Sequence, residues 1–171
     1  SLILAAEDCD PSDFDAFHKF SNTEEKFITK LKAHGPILIR GGRGSGKSAL
    51  MIEASRRLAP ESSNATAYGI YVSLRHLTLL RSTNETYEKY LCEILISTIR
   101  TKLGDLADDF CSVVTASELQ QELAKLSIRL GKRIVIFFDD AAHIGREASL
   151  GDFFDIYRTI SSSTVSCKAS I

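Results

Sequence analysis

The sequence predicts an α/β domain with a mostly parallel central sheet and helices on both faces. Three observations predict it. Strand-like apolar runs alternate with amphipathic helical stretches, a glycine-rich turn joins a strand to a helix at 41–48, and the unbroken apolar run Ile134 to Phe138 ends in Asp139-Asp140. Such runs fit strands covered on both faces, as parallel sheets require, and alternation of strand and helix supplies the crossovers that join parallel strands. A length of 171 residues permits one domain and little more. Residues 1–34 read as an N-terminal segment and helix leading into a core over 35–171.

Taken in order, an acidic start (Glu7, Asp8, Asp10, Asp13, Asp15) is expected to be loose. Ser21 and Glu24 have capping-box spacing and open a short helix with Phe27, Ile28 and Leu31 on one side, which Gly35 and Pro36 end. Ile37-Leu38-Ile39 is the first strand. Ala49, Leu50, Met51, Ala54 and Leu58 mark an amphipathic helix stopped by Pro60, and Tyr68 to Leu74 is the second strand. Ser82 and Glu85 repeat the capping spacing before a long helix with Tyr87, Tyr90, Leu91, Ile94, Leu95, Ile99 and Leu103 at helical intervals, stopped by Gly104. An acidic connection around Asp105, Asp108 and Asp109 leads to a helix capped by Thr115 with Glu118, carrying Leu119, Leu123, Leu126 and Leu130 before Gly131. The acid-terminated strand follows, then a helix through Asp152 to Ile160 and a final strand from Thr164 to Ser170.

Bulk properties exclude several classes. A hydrophobic content of 44% with 25% charged residues suits a globular domain with a real core. The formal net charge of −1 gives no overall basic field for nucleic acid, and Lys30, Lys32, Arg56 and Arg57 read as scattered solvated charge rather than a patch. Cys9, Cys92, Cys111 and Cys167 form no C-x-x-C pair, and Cys92 sits in an apolar helical pattern as a small hydrophobe, which points to a reducing compartment. His18, His34, His76 and His143 are too dispersed to suggest a metal site. No window approaches a membrane span, and Leu2 to Ala6 is too short for a signal-peptide core, so the expected location is cytoplasmic. The chain opens on Ser1, which suggests processing or a piece of a longer chain.

The chemistry concentrates in Gly41-Gly42-Arg43-Gly44-Ser45-Gly46-Lys47-Ser48, a match to G-x-x-x-x-G-K-[ST] entered from a strand and leaving into a helix. Chance produces such a match in a chain of this length with a probability on the order of 1%. Glycines let the backbone wrap a polyphosphate so that successive N–H groups point inward. Lys47 supplies a mobile cation for the outer phosphates, Ser48 a hydroxyl for Mg²⁺, and the helix turns its positive end to the anion. Arg43 and Ser45 are the variable positions of the loop. In open parallel sheets ligands bind at the carboxyl ends of strands, so Asp139 and Asp140 are expected on the edge that carries this loop. Asp139 there would hold Mg²⁺, directly or through water, and Asp140 would orient or deprotonate an attacking water.

With one strand between the loop strand and the acid strand, and paired acids at the end of the latter, the chain resembles P-loop NTPases of the additional-catalytic-acid group, particularly AAA+ and STAND ATPases. Gly42 to Ser48 together with Phe20-Ser21-Asn22-Thr23-Glu24-Glu25 is also similar to bacterial ATPases related to origin-recognition proteins. The resemblance covers about residues 17 to 171 and implies a three-layer core in which the final strand is inserted between the two motif strands as a sensor strand. It implies ATP and Mg²⁺ as cofactors, Gly41 to Ser48 as Walker A, Asp139 as the Walker B metal residue, and Asp140 where many AAA+ members have a catalytic Glu. It also places Phe20 and Asn22 near adenine, although core or cap roles are the simpler expectation for both. Lys168 and Ser170 are left unassigned as the polar sensor, and Arg146 reads as a surface ion-pair partner ahead of an arginine finger. The resemblance implies a core cut before the helical lid, and so an isolated chain that is a weak or inactive hydrolase.

Three functions follow from the resemblance. The first is an Mg-dependent ATP-binding and hydrolysing module that drives assembly or remodelling through self-association or other domains of a longer chain. The second is a STAND-like signalling or defence switch that holds ATP with little turnover, and the third a DNA-associated initiator or loader, which the net charge does not support. A GTPase is disfavoured because no N-K-x-D string exists, and an ABC ATPase because L-S-G-G-Q is missing.

Overall fold

The structure, a computed structural model, describes residues 19–41, 46–62, 64–75, 84–110, 112–144 and 147–171. Five helices and four strands alternate through these segments: α1 (Asn22–Lys32), β1 (Ile37–Ile39), α2 (Lys47–Arg57), β2 (Ala67–Ser73), α3 (Asn84–Leu103), α4 (Ala116–Leu130), β3 (Arg133–Asp139), α5 (Glu147–Ile160) and β4 (Val165–Ser170), with short 3₁₀ turns at Gly104–Ala107 and Ala141–Ile144. The expected elements are present. Their ends differ by a residue or so, except that α5 starts earlier than the expected helix at Asp152.

The sheet is four-stranded in the order β1-β4-β3-β2, and every pairing is parallel. The last strand in sequence therefore lies between the strand that leads into the glycine turn and the strand that ends in acids. Register aligns Ile37 with Lys168, Phe137 with Lys168, and Tyr71 with Phe137, so these side chains share one face.

Period-two alternation then sorts the core into two layers. On one face Ile70, Val72, Ile134, Ile136, Phe138, Val165, Cys167 and Ala169 pack against α3, α4 and α5. On the other, Ala67, Val135 and Phe137 meet Ile28 and Leu31 of α1 and Met51 and Ala54 of α2. This is the three-layer α/β arrangement expected. Rings of Phe138, Phe153 and Tyr157 fill the first layer, the first pair edge-on at 5.2 Å.

Local chemistry explains the ends. Ser21 and Glu24 form a complete reciprocal capping box on α1, and Thr115 caps α4 through the Glu118 N–H. The Ser82 cap lies outside the described residues. Gly131 closes α4 in the left-handed conformation at φ 64°. Gly69 lets α2 approach the sheet: a Cβ there would stand 3.0 Å from Ser55 Cα and 3.1 Å from Leu58 Cβ.

One expectation about charge is corrected. Of the four cations, Lys32, Arg56 and Arg57 line one cleft of about 400 Å³, whose lining does not include Lys30. They gather because α2 leans on α1 and shares its ion pairs. Arg57 donates to both Glu25 oxygens at 2.6 and 2.8 Å, while the buried Glu53 accepts from Arg56 and Arg57. Burial works against the Glu53 charge, but these guanidinium bonds outweigh it and hold its carboxyl below the usual range. Cys92 is buried as expected, its thiol pushed up to about 12 by burial, and Cys167 behaves the same way. No helix among the described residues is long and apolar enough to cross a membrane.

Candidate functional site

The carboxyl ends of β1, β3 and β4 form the edge on which the sequence-derived residues converge. Gly41 follows β1, while Gly42, Arg43, Gly44 and Ser45 lie outside the described residues. Gly46 takes φ 85°, a left-handed conformation that glycine adopts without penalty, and stands as the N-cap of α2 with no side chain to accept from the helix. The unpaired N–H groups of the first turn thus lack a side-chain cap at the end where the helix dipole is positive. Lys47 and Ser48 are the first residues of that turn.

The Lys47 ammonium donates to Gly41 O at 2.6 Å and to Ile171 O at 2.9 Å. The first contact folds the lysine back over its own turn; the second ties it to the residue just beyond β4. Ile171 is itself pinned to β1, its N–H donating to Ile39 O at 3.0 Å.

One residue earlier, Ser170 is fully buried and reaches the acids. Its hydroxyl donates to Asp139 Oδ1 at 2.5 Å and accepts from the Asp140 N–H at 2.7 Å. Tyr71, on β2, donates its hydroxyl to Asp139 Oδ2 at 2.5 Å. Asp139 is 1% exposed, and each carboxylate oxygen accepts a short bond from a neutral hydroxyl of a flanking strand. The two hydroxyls fix the orientation of the carboxyl group.

Asp140 leaves the strand with φ 58°, in a region where Asp and Asn are tolerated better than other residues with a Cβ. That turn ends β3 and leads into the 3₁₀ turn at Ala141–Ile144. The structure thus brings Lys47, Asp139 and Asp140 to one sheet edge, linked through the consecutive residues Ser170 and Ile171. Ser48 lies beside Lys47 at the same end of α2.

Other expectations fall elsewhere. Arg146 lies outside the described residues. Asn22 is the first residue of α1, and Phe20 packs against the cluster between α1, α2 and the sheet, which accords with a core role. Lys168 does not reach the acids. It is 1% exposed and donates to Ala33 O at 2.7 Å and to Gly35 O, and burial pushes its ammonium down to about 8. Sequence reasoning missed Tyr71 and left Ser170 unassigned. The available sign was Lys168 and Ser170, two polar residues on one face of a strand buried throughout, because buried polar groups are normally held by hydrogen-bond partners; Ser166 on the same face is an exception, its hydroxyl having no partner among the described residues. Among the described residues no group of three or more His, Cys, Asp or Glu is placed to hold a metal by itself.

No family model and no curated protein matches the sequence. Among solved structures the chain is similar to C. elegans PCH-2, with 13% sequence identity and a TM-score of 0.46. The match covers 92% of this chain, which spans 41% of the length of that one.

Proposed function

We propose that the chain is an Mg-dependent ATP-binding and hydrolysing module of the AAA+ or STAND type, whose nucleotide state drives assembly or remodelling in a larger protein. The observation that carries the reading is that the Lys47 ammonium bonds to Ile171 O while the preceding residue, Ser170, bonds to both Asp139 and Asp140 at the same sheet edge. A triphosphate laid along the turn from Gly41 to Ser48 replaces the backbone carbonyls as the partner of Lys47. Lys47 then offsets charge on the outer phosphates, where a fixed cation favours the transition state over the ground state.

The residues fit a magnesium ion. Asp139 offers an oriented, buried carboxylate whose partners are neutral, and Ser48 a hydroxyl beside the lysine; these two would hold the ion. When bound, Mg²⁺ supplies neutralisation of phosphate charge. Asp140 orients the attacking water and takes its proton. Its side chain is shorter than a Glu, and this observation favours a second reading, a switch that holds ATP with little turnover.

Melting with and without ATP and MgCl₂ tests the proposal. Lys47→Ala should abolish the nucleotide-induced stabilisation seen in the parent chain, and an equal shift in both would refute it. Single-turnover phosphate release separates hydrolase from switch: loss of release in Asp140→Asn supports the first, and no release even from the parent supports the second.

A further inference from the structure

Building on that reading, we infer that Tyr71 is a positioning residue for Asp139, setting the carboxylate that takes the divalent cation. Tyr71 is aligned with Phe137 on the neighbouring strand, and Asp139 lies two residues further along the same face. This diagonal is within reach of a long aromatic side chain. The ring packs against the core cluster formed by α1, α2 and the sheet, so the phenol is held by the layer that also carries the helix starting at Lys47 and Ser48. Its hydroxyl reaches Asp139 Oδ2 at 2.5 Å while Ser170 takes Oδ1 at 2.5 Å.

Each carboxylate oxygen has two lone-pair directions, and one on each is occupied by a hydroxyl. The carboxyl cannot rotate without losing both bonds. Magnesium demands near-ideal octahedral geometry and gives up water reluctantly, so a fixed acceptor is worth more to it than a swivelling one. Neutral donors suit this task, since a lysine or arginine in place of Tyr71 would cancel the charge that attracts the cation. Groups that orient a metal-binding carboxylate commonly account for factors of about 10–100 in metal affinity.

The test is the affinity of the full chain for a fluorescent ATP analogue, measured in EDTA and again in excess MgCl₂. Tyr71→Phe removes one oxygen and keeps the ring. It should leave affinity in EDTA unchanged and reduce the magnesium-dependent gain on the order of tenfold, and Asp139→Asn should reduce it as well. Ser170→Ala should weaken the same gain. A magnesium gain in Tyr71→Phe equal to that of the parent, with Asp139→Asn impaired, overturns the inference while leaving the ATP site intact. Analogue binding that is unaffected by Lys47→Ala overturns the ATP reading itself. Far-ultraviolet circular dichroism guards against a folding defect, and should Tyr71→Phe melt early, the half-saturating MgCl₂ concentration of Tyr71→Trp with bound analogue decides: a raised value supports the inference and an unchanged one overturns it.

Discussion

Asp140 shows how backbone and chemistry constrain each other at a single position. Its φ of 58° penalises an ordinary side chain, so a variant meant to remove only the carboxylate must tolerate the same conformation. Asp140→Asn should therefore keep the melting temperature, whereas Asp140→Ala should lose about 1 kcal/mol in urea unfolding. Equal stability of the two would remove the strain argument. Lys168 is the converse case, a cation buried on two carbonyls and pushed down from 10.5 to about 8. Below about pH 8 both folded and unfolded chains carry the proton, and the full cost of burying it is present. Between about 8 and 10.5 the unfolded chain binds more protons than the folded one, so this group makes stability rise with pH. The stability of the parent relative to Lys168→Met should accordingly grow across that window; a flat difference would show that the ammonium is not depressed. Neither residue's environment was legible beforehand, because a left-handed turn and a buried lysine depend on tertiary neighbours rather than on the local string.

Among the elements, α2 and β2 are the pair on which site geometry depends. Gly69 allows the helix to lie close over β2, and an added Cβ would meet Ser55 and Leu58, much of it backbone that cannot swing aside. Gly69→Ala should cost about 1–3 kcal/mol of stability and lower nucleotide affinity by shifting Lys47 and Ser48 relative to Asp139. Unchanged unfolding would mean that helix and sheet separate freely. The elements were legible to within a few residues because their punctuation is local: Ser21 with Glu24, Thr115 with Glu118, Gly131 and the apolar run before Asp139 each act within one turn or strand. The start of α5 was not, since its first turn lacks a strong apolar stripe and the buried face is declared further on, by Phe153, Ile156, Tyr157 and Ile160.

Across the whole molecule, strand order does the work that no single motif can. Insertion of β4 between β1 and β3 places Ser170 and Ile171 between the loop lysine and the acids, and this order follows from pairing rather than from any residue pattern. The loop motif and the acid pair were visible in the sequence; the connection through Tyr71 and Ser170 was not, because it joins residues 68 and 31 positions apart from Asp139. The most direct test of the account is a crystal structure with a non-hydrolysable ATP analogue and Mn²⁺, located by anomalous scattering. The account predicts phosphate density on the turn from Gly41 to Ser48, the Lys47 ammonium moved from Gly41 and Ile171 onto that phosphate, and manganese on the Ser48 and Asp139 side of it. Nucleotide or manganese bound elsewhere, with Lys47 still on the Ile171 carbonyl, would contradict it.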